Sequence, residues 1–159
     1  MTAHPALLMV DDDEEDVYIT KRAFLSHEPD LLFDSVSDGV ELFDYMDRQG
    51  RYRENTSKHA PTIILLDINL PCENGFDILS RLKSHPIHRQ IPIIMLTTSS
   101  SELDVRKAYG LGASSYVCKS LNAAEMKEIA AKLCDYWFNF SAVPAQGGNN
   151  KMTSDPVLI

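Results

Sequence analysis

The sequence predicts an α/β fold, a doubly wound five-stranded parallel sheet with helices on both faces. Three observations carry the prediction. Short apolar segments rich in branched residues alternate with segments of helical period along the chain. The third and fourth of these, "TIILLD" (62–67) and "PIIMLT" (92–97), are almost wholly apolar, as strands covered on both faces should be. Acids, threonines and a lysine stand where strands end, at the carboxyl edge where such sheets bind ligands.

Taken in order, the first strand is "ALLMV" (6–10), and the helix after it runs from Glu14 to Ser26 with Val17, Thr20, Ala23 and Phe24 on one face. "LLFDSV" (31–36) is the second strand, followed by a helix over Asp38–Asp47 with Val40, Phe43 and Met46 inward. After "TIILLD", Gly75 to Ser84 presents Phe76, Ile78, Leu79 and Leu82. After "PIIMLT", a helix opens at Ser101, three residues before Asp104, and Gly110 is expected to stop it. "SSYVCK" (114–119) is the fifth strand. The last helix spans Leu121–Phe138, opens at Asn122 and sets Met126, Ile129, Leu133 and Trp137 in a stripe. A polar loop, 48–62, and a Pro-, Gly- and Asn-rich tail, 141–159, fall outside the pattern. The domain is therefore expected over 1–140, with the tail flexible or docked on a partner copy.

The chain has 159 residues, enough for one ordinary domain, and a formal charge of −8, which argues against a general nucleic-acid binder. No apolar stretch reaches the ~20 residues of a membrane span, and the N-terminus lacks a basic secretory signature. The cysteines, Cys72, Cys118 and Cys134, fit neither a zinc spacing nor a disulfide framework. A cytoplasmic protein without membrane or nucleic-acid partners is expected. The histidines, in loops and at helix ends, pair with no Cys or acid at ligand spacing and are expected to be exposed.

An acidic run, Asp11 to Asp16, follows the first strand. Two carboxylates about 4 Å apart repel by ~1 kcal/mol in water and ~4 kcal/mol near a protein surface. Such a run is either solvated or holds a cation. Strands one and three of a doubly wound sheet meet at the switch point, so Asp11 and Asp12 should converge there with Asp67. Asp13 to Asp16 should form a solvated first helical turn, favoured by the helix dipole. Carboxylates gathered in a pocket suit Mg2+ and leave room for a phosphoryl group, with Thr97 and Lys119 placed to stabilise its oxygens.

The stretches "LLMVDDD", "TIILLDINLPCENG", "PIIMLTTSS" and "GASSYVCKS" resemble the receiver domain of two-component response regulators over about residues 5–140. The resemblance implies a flavodoxin-like (βα)5 fold with strand order 2-1-3-4-5. It implies Asp67 as phosphoacceptor for a sensor histidine kinase. Mg2+ would be held by Asp12, Asp67 and the Asn69 backbone carbonyl, with Asp11 acting through water. Thr97 and Lys119 would contact the phosphoryl group, Tyr116 would switch with Thr97, and Asn69 and Ser99 would tune the phosphate lifetime. Pro71 and Gly75 match the turn after the phosphoacceptor strand. Such a protein is a signalling phosphoprotein, catalysing only its own phosphorylation and dephosphorylation.

One departure stands out. The family usually has a cis-proline after the lysine; here it is Ser120. A cis non-proline bond costs ~2.5–4 kcal/mol, so the loop either carries that strain or turns trans and shifts Lys119. More narrowly, "DVYITKRAF" (16–24), the long 48–62 loop, "TTSSSELDVRKAYGLGASSYV" (97–117) and "DYWFNF" (135–140) are similar to single-domain regulators paired with bacterial phytochromes. With no output domain expected after Phe140, the signal would pass through partner contacts. Tyr136, Trp137, Phe138 and Phe140 are too many aromatics for one helix face. Trp137 is expected to cap the core and the others to build a homodimer through the helix 4–strand 5–helix 5 surface. The alternative is a haloacid-dehalogenase-type phosphatase with Asp11 as nucleophile and Asp13 as acid–base, which would leave Asp67 without a role.

Overall fold

The computed structural model describes residues 4–54 and 60–144. Strands β1 (Ala6–Val10), β2 (Leu32–Val36), β3 (Ile63–Leu66), β4 (Ile93–Thr97) and β5 (Ser115–Cys118) form one parallel sheet in the order β2-β1-β3-β4-β5. Helices α1 (Glu14–His27), α2 (Gly39–Asp47), α3 (Gly75–Ser84) and α4 (Glu102–Gly110) connect them, and α5 (Ala123–Cys134) follows β5. The strand side chains alternate between the faces. Leu8, Val10, Ile64, Leu66, Ile93 and Met95 join the core under α2, α3 and α4. Leu7, Met9, Ile63, Leu65, Ile94 and Leu96 join the core under α1 and α5. Complete burial of each such side chain contributes roughly 1.5–3 kcal/mol.

The helix starts follow from their caps. Asp13, Asp38, Asn74, Ser101 and Asn122 each accept a backbone N–H of the first turn with a side-chain oxygen. The stripes of α1 and α3 match expectation, with Thr20, Ala23 and Phe24, and all four apolar α3 positions, buried.

Several expectations need correction. In α2, Val40 is 71% exposed while Leu42 and Tyr45 are buried; Phe43 and Met46 only flank the core. The Tyr45 ring buries edge-on to Tyr52, and its hydroxyl reaches Asp34 at 2.8 Å. Thus a polar-tipped residue takes the inward place that a purely apolar reading gave to Val40. The helix α4 ends at Gly110, which is its last helical residue and not the residue that reverses the chain. The reversal falls at Gly112, with φ +102°. Beyond Cys134 the last helix widens into a π-helix over Asp135–Phe140, closed by Ser141 N–H donating to the Tyr136 carbonyl at 2.6 Å. The wider turn brings both Trp137 and Phe138 against the core, not Trp137 alone. Tyr136 and Phe140 remain 50% and 83% exposed.

One histidine also departs from expectation. His88 is buried and its Nε2 lies 3.0 Å from an Asp47 oxygen; His27 is exposed as expected, with its Nε2 2.8 Å from Asp135. The 48–62 loop contains a short 3-10 helix, Gly50–Tyr52, whose Tyr52 is buried. The tail beyond Pro144, with its expected docking role, lies outside the described residues. No helix among the described residues is long and apolar enough to cross a membrane.

Candidate functional site

Sheet register builds the site. Val10 pairs with Val36 on one side and Leu66 on the other, and Thr97 pairs with Cys118. The ladder continues one residue past the strands: Asp11 N–H donates to the Val36 carbonyl at 3.0 Å, Asp67 N–H to Val10 at 3.1 Å and Lys119 N–H to Thr97 at 2.8 Å. Asp11, Asp67 and Lys119 therefore leave the same edge of the sheet, at its switch point.

Their side chains meet. Lys119 Nζ donates to Asp11 Oδ2 at 2.5 Å, Asp67 Oδ2 at 2.9 Å and Asp16 Oδ2 at 3.0 Å. The side chain of Lys119 is only 5% exposed, and that of Asp11 1%. Burial alone would push the lysine pKa down. The bonds it donates to the three carboxylates outweigh it, and the net shift is upward. Burial raises the pKa of Asp11; the bonds from Lys119 and the Asp13 N–H oppose this in part.

The expectation for Asp16 was wrong. It is not part of a solvated turn, because α1 starts close enough to the sheet edge for its first-turn carboxylate to reach the lysine. Spacing of strand ends gives no sign of this, because the contact is made across the fold to Lys119. Asp12, by contrast, is exposed beside the pocket. Asp13 is consumed as the α1 cap, accepting the N–H groups of Glu15 and Asp16.

Around this centre, Thr97 is fully buried, and its Oγ1 is a buried side-chain polar atom without a hydrogen-bond partner among the described residues. An orphaned hydroxyl is costly unless something arrives to bond it. Asn69 is exposed and forms an isolated bridge with Asn74 across the turn carrying Pro71. Ser99 joins two residues: its hydroxyl donates to Asp104 at 2.6 Å, and its carbonyl accepts the Tyr116 hydroxyl at 2.9 Å. The Cys118 thiol, not foreseen, also faces that carbonyl at 3.5 Å.

The Lys119–Ser120 bond is trans, since the described chain contains no cis peptide. Lys119 still reaches the acids. Ser120 holds the loop by other means: its N–H donates to Met126 Sδ at 3.4 Å, and its hydroxyl accepts the Asn122 N–H at 3.1 Å and donates to Glu125.

A second cluster, Asp47, His85 and His88, brings three ligand-type atoms within 4.8 Å of one another. Its hydrogen bonds argue against a metal. His85 Nδ1 accepts the N–H groups of Ile87 and His88, both at 3.1 Å, which puts its proton on Nε2. His88 Nε2 is engaged with Asp47, and the two rings stack 3.8 Å apart. The cluster joins the ends of α2 and α3 as a structural contact.

With that geometry in hand, the comparisons with known proteins agree. Residues 7–131 match the response regulator receiver domain, and the chain belongs to that family. The chain is 30% identical to the response regulator Rcp1 of Synechocystis sp. over 139 residues, covering 87% of this chain and 92% of Rcp1. The crystal structure of the phosphorylated cyanobacterial phytochrome response regulator RcpA superposes with a TM-score of 0.82 at 29% identity, over 90% of this chain and 100% of that one. The Mn2+-bound form of Rcp1 gives 0.78 at 28% identity, over 89% and 99%. The protein is thus a receiver-domain response regulator, a signalling protein similar to phytochrome-associated regulators. The phosphatase alternative falls with the family and with the use of Asp13 as a helix cap.

Proposed function

We propose that the protein accepts a phosphoryl group on Asp67 from a sensor histidine kinase, of the bacteriophytochrome class, in an Mg2+-dependent reaction. The observation that carries the reading is Lys119 drawn onto Asp67 while the neighbouring strand ends in a buried, partnerless Thr97 Oγ1. The phytochrome class is supported by the likeness to the phytochrome response regulator RcpA and the bacteriophytochrome response regulator RtBRR.

The donor set fits a hard divalent ion. Asp11, Asp16 and Asp67 crowd one ammonium, and Asp12 stands exposed beside them, so the site is short of positive charge and offers oxygen ligands. Asp12, Asp67 and the Asn69 carbonyl would hold the ion, with Asp11 acting through water. Once bound, Mg2+ neutralises the carboxylates and draws charge from the phosphoryl oxygens.

The chain's own residues do the rest. Lys119 holds Asp67 Oδ2, which leaves Oδ1 to attack phosphorus as the bond to the kinase imidazole breaks. Lys119 then balances charge on a phosphoryl oxygen, and the Thr97 hydroxyl donates to another. Thr97 moving toward the phosphate frees space that Tyr116 fills, while Ser99 and Asn69 flank the approach of hydrolytic water and tune the lifetime. Purified protein with Mg2+ and acetyl phosphate should carry acid-labile phosphate on Asp67 by mass spectrometry, and Asp67→Asn should carry none. Label on Asp11 instead would overturn the reading.

A second copy of the chain is the other partner in this reading. Leu103 on α4, Tyr109 at its end, Leu121 before α5, and Tyr136 and Phe140 are all half or more exposed. A surface of this kind on the α4–β5–α5 side favours self-association. Sedimentation should give a dimer that Tyr136→Ser with Phe140→Ser converts to monomer.

A further inference from the structure

We propose that Asp16 competes with the phosphoryl group for Lys119, so that its charge weakens phosphoryl capture at Asp67. The proposal deepens the phosphoacceptor reading and rests on it. An ammonium has three protons, and Lys119 spends all of them on carboxylates: Asp11, Asp67 and Asp16. The lysine is buried, so there is no spare donor.

A phosphoryl group on Asp67 inherits the bond that Asp67 already has. It also brings further oxygens and about one more negative charge than the carboxylate it replaces. Full engagement with Lys119 then requires a carboxylate to retreat. Asp11 is not free to do so. Its side chain is 1% exposed, and its Oδ1 accepts the Asp13 N–H at 2.9 Å. Asp16 makes the longest of the three bonds and has the most exposed of the three carboxylates, at 15%. It stands on the first turn of α1, where the helix N-terminus keeps its charge tolerable after release. Asp16 is the group that yields. While it remains charged, the lysine is shared.

The test is calorimetric titration of the full chain at saturating Mg2+ with beryllium trifluoride, which mimics a phosphoryl group without being hydrolysed. Asp16→Asn keeps an oxygen facing Lys119 but removes the charge, and should tighten binding about threefold to tenfold, the range for one charge several ångström away in a partly solvated site. Asp16→Ala should tighten it as well, and Asp16→Glu should return it to the wild-type value. A purely structural role would weaken binding in the Asn and Ala variants. Unchanged or weaker binding in both, with thermal midpoints near wild type, overturns the proposal. Failure of the wild type itself to bind at saturating Mg2+ overturns the phosphoacceptor reading and the proposal together.

Discussion

Gly75 passes so close to Asp67 that a β-carbon at 75 would lie 2.1 Å from the Asp67 carbonyl oxygen and 2.8 Å from the Ile68 Cα. Both obstacles are backbone and cannot rotate away. The Gly75 N–H also donates to the Ile68 carbonyl at 2.7 Å, locking the turn that carries Asp67 out of the sheet. Gly75→Ala should therefore lower stability by about 1–3 kcal/mol in urea unfolding and reduce phosphoryl incorporation on Asp67. Gly110 is the control. A β-carbon there meets nothing within 4 Å, and Gly110→Ala should stabilise by about 0.4–1 kcal/mol.

Ser120 gives the second prediction. Its hydroxyl and N–H tie the Lys119 loop to the start of α5 through Asn122, Glu125 and Met126. This holds Lys119 in place with a trans bond where a proline is usual in the family. Ser120→Ala removes the hydroxyl bonds and should cost about 0.5–2 kcal/mol, the range for losing a capping side chain. Ser120→Pro removes the hydroxyl and the N–H together and should cost more. Chemical denaturation of the two variants beside wild type checks the order.

Much of this was legible in the sequence because sheet periodicity and strand ends are local properties. The β3 run Ile63–Leu66 is buried throughout, as an apolar strand between two helical layers must be. Asp11, Asp67, Thr97 and Lys119 fall together because parallel register aligns strand ends. What was not legible depends on contacts between elements. Val40 and Tyr45 were misjudged because Tyr52, far along a polar loop, supplies the ring that makes Tyr45 the inward residue. His88 is buried by an Asp47 brought from another helix. Asp16 was hidden by its own neighbours: in a run of acids, nothing local distinguishes the one that turns inward.

The three free thiols should separate by reactivity. Cys72 and Cys118 are exposed and Cys134 is buried. Burial, helped by the charges of Glu28 and Asp135, pushes the Cys134 thiol up to about 12. A folded-state pKa raised in this way contributes stability that is fully present below the ordinary thiol pKa of about 8.5 and is lost as pH rises through the folded value. At pH 8 a thiol of pKa about 12 holds roughly one part in 10⁴ as the reactive thiolate. Ellman's reagent should titrate two thiols rapidly in native buffer at pH 8 and the third only on unfolding. Three fast thiols would contradict the packing of Cys134.

The crowding of carboxylates around Lys119 predicts how the fold responds to a divalent ion. Asp11, Asp16 and Asp67 share one ammonium, and Asp12 stands exposed at the pocket edge. Removing the ammonium leaves buried charges uncompensated, so Lys119→Met should destabilise the metal-free protein by about 3–5 kcal/mol. An ion bound only by the folded state stabilises by mass action, about 2.7 kcal/mol at roughly a hundredfold excess over Kd. Mg2+ should therefore raise the thermal midpoint of the wild type in a concentration-dependent way. The rise should shrink in Asp12→Asn, because that substitution removes a proposed ligand without touching the lysine cluster. It should persist in Lys119→Met, where the ion takes over part of the charge the lysine balanced. Scanning calorimetry across a Mg2+ series separates these cases. A midpoint indifferent to Mg2+ in the wild type would show that Lys119 alone suffices to balance the acids and would remove the metal from the site.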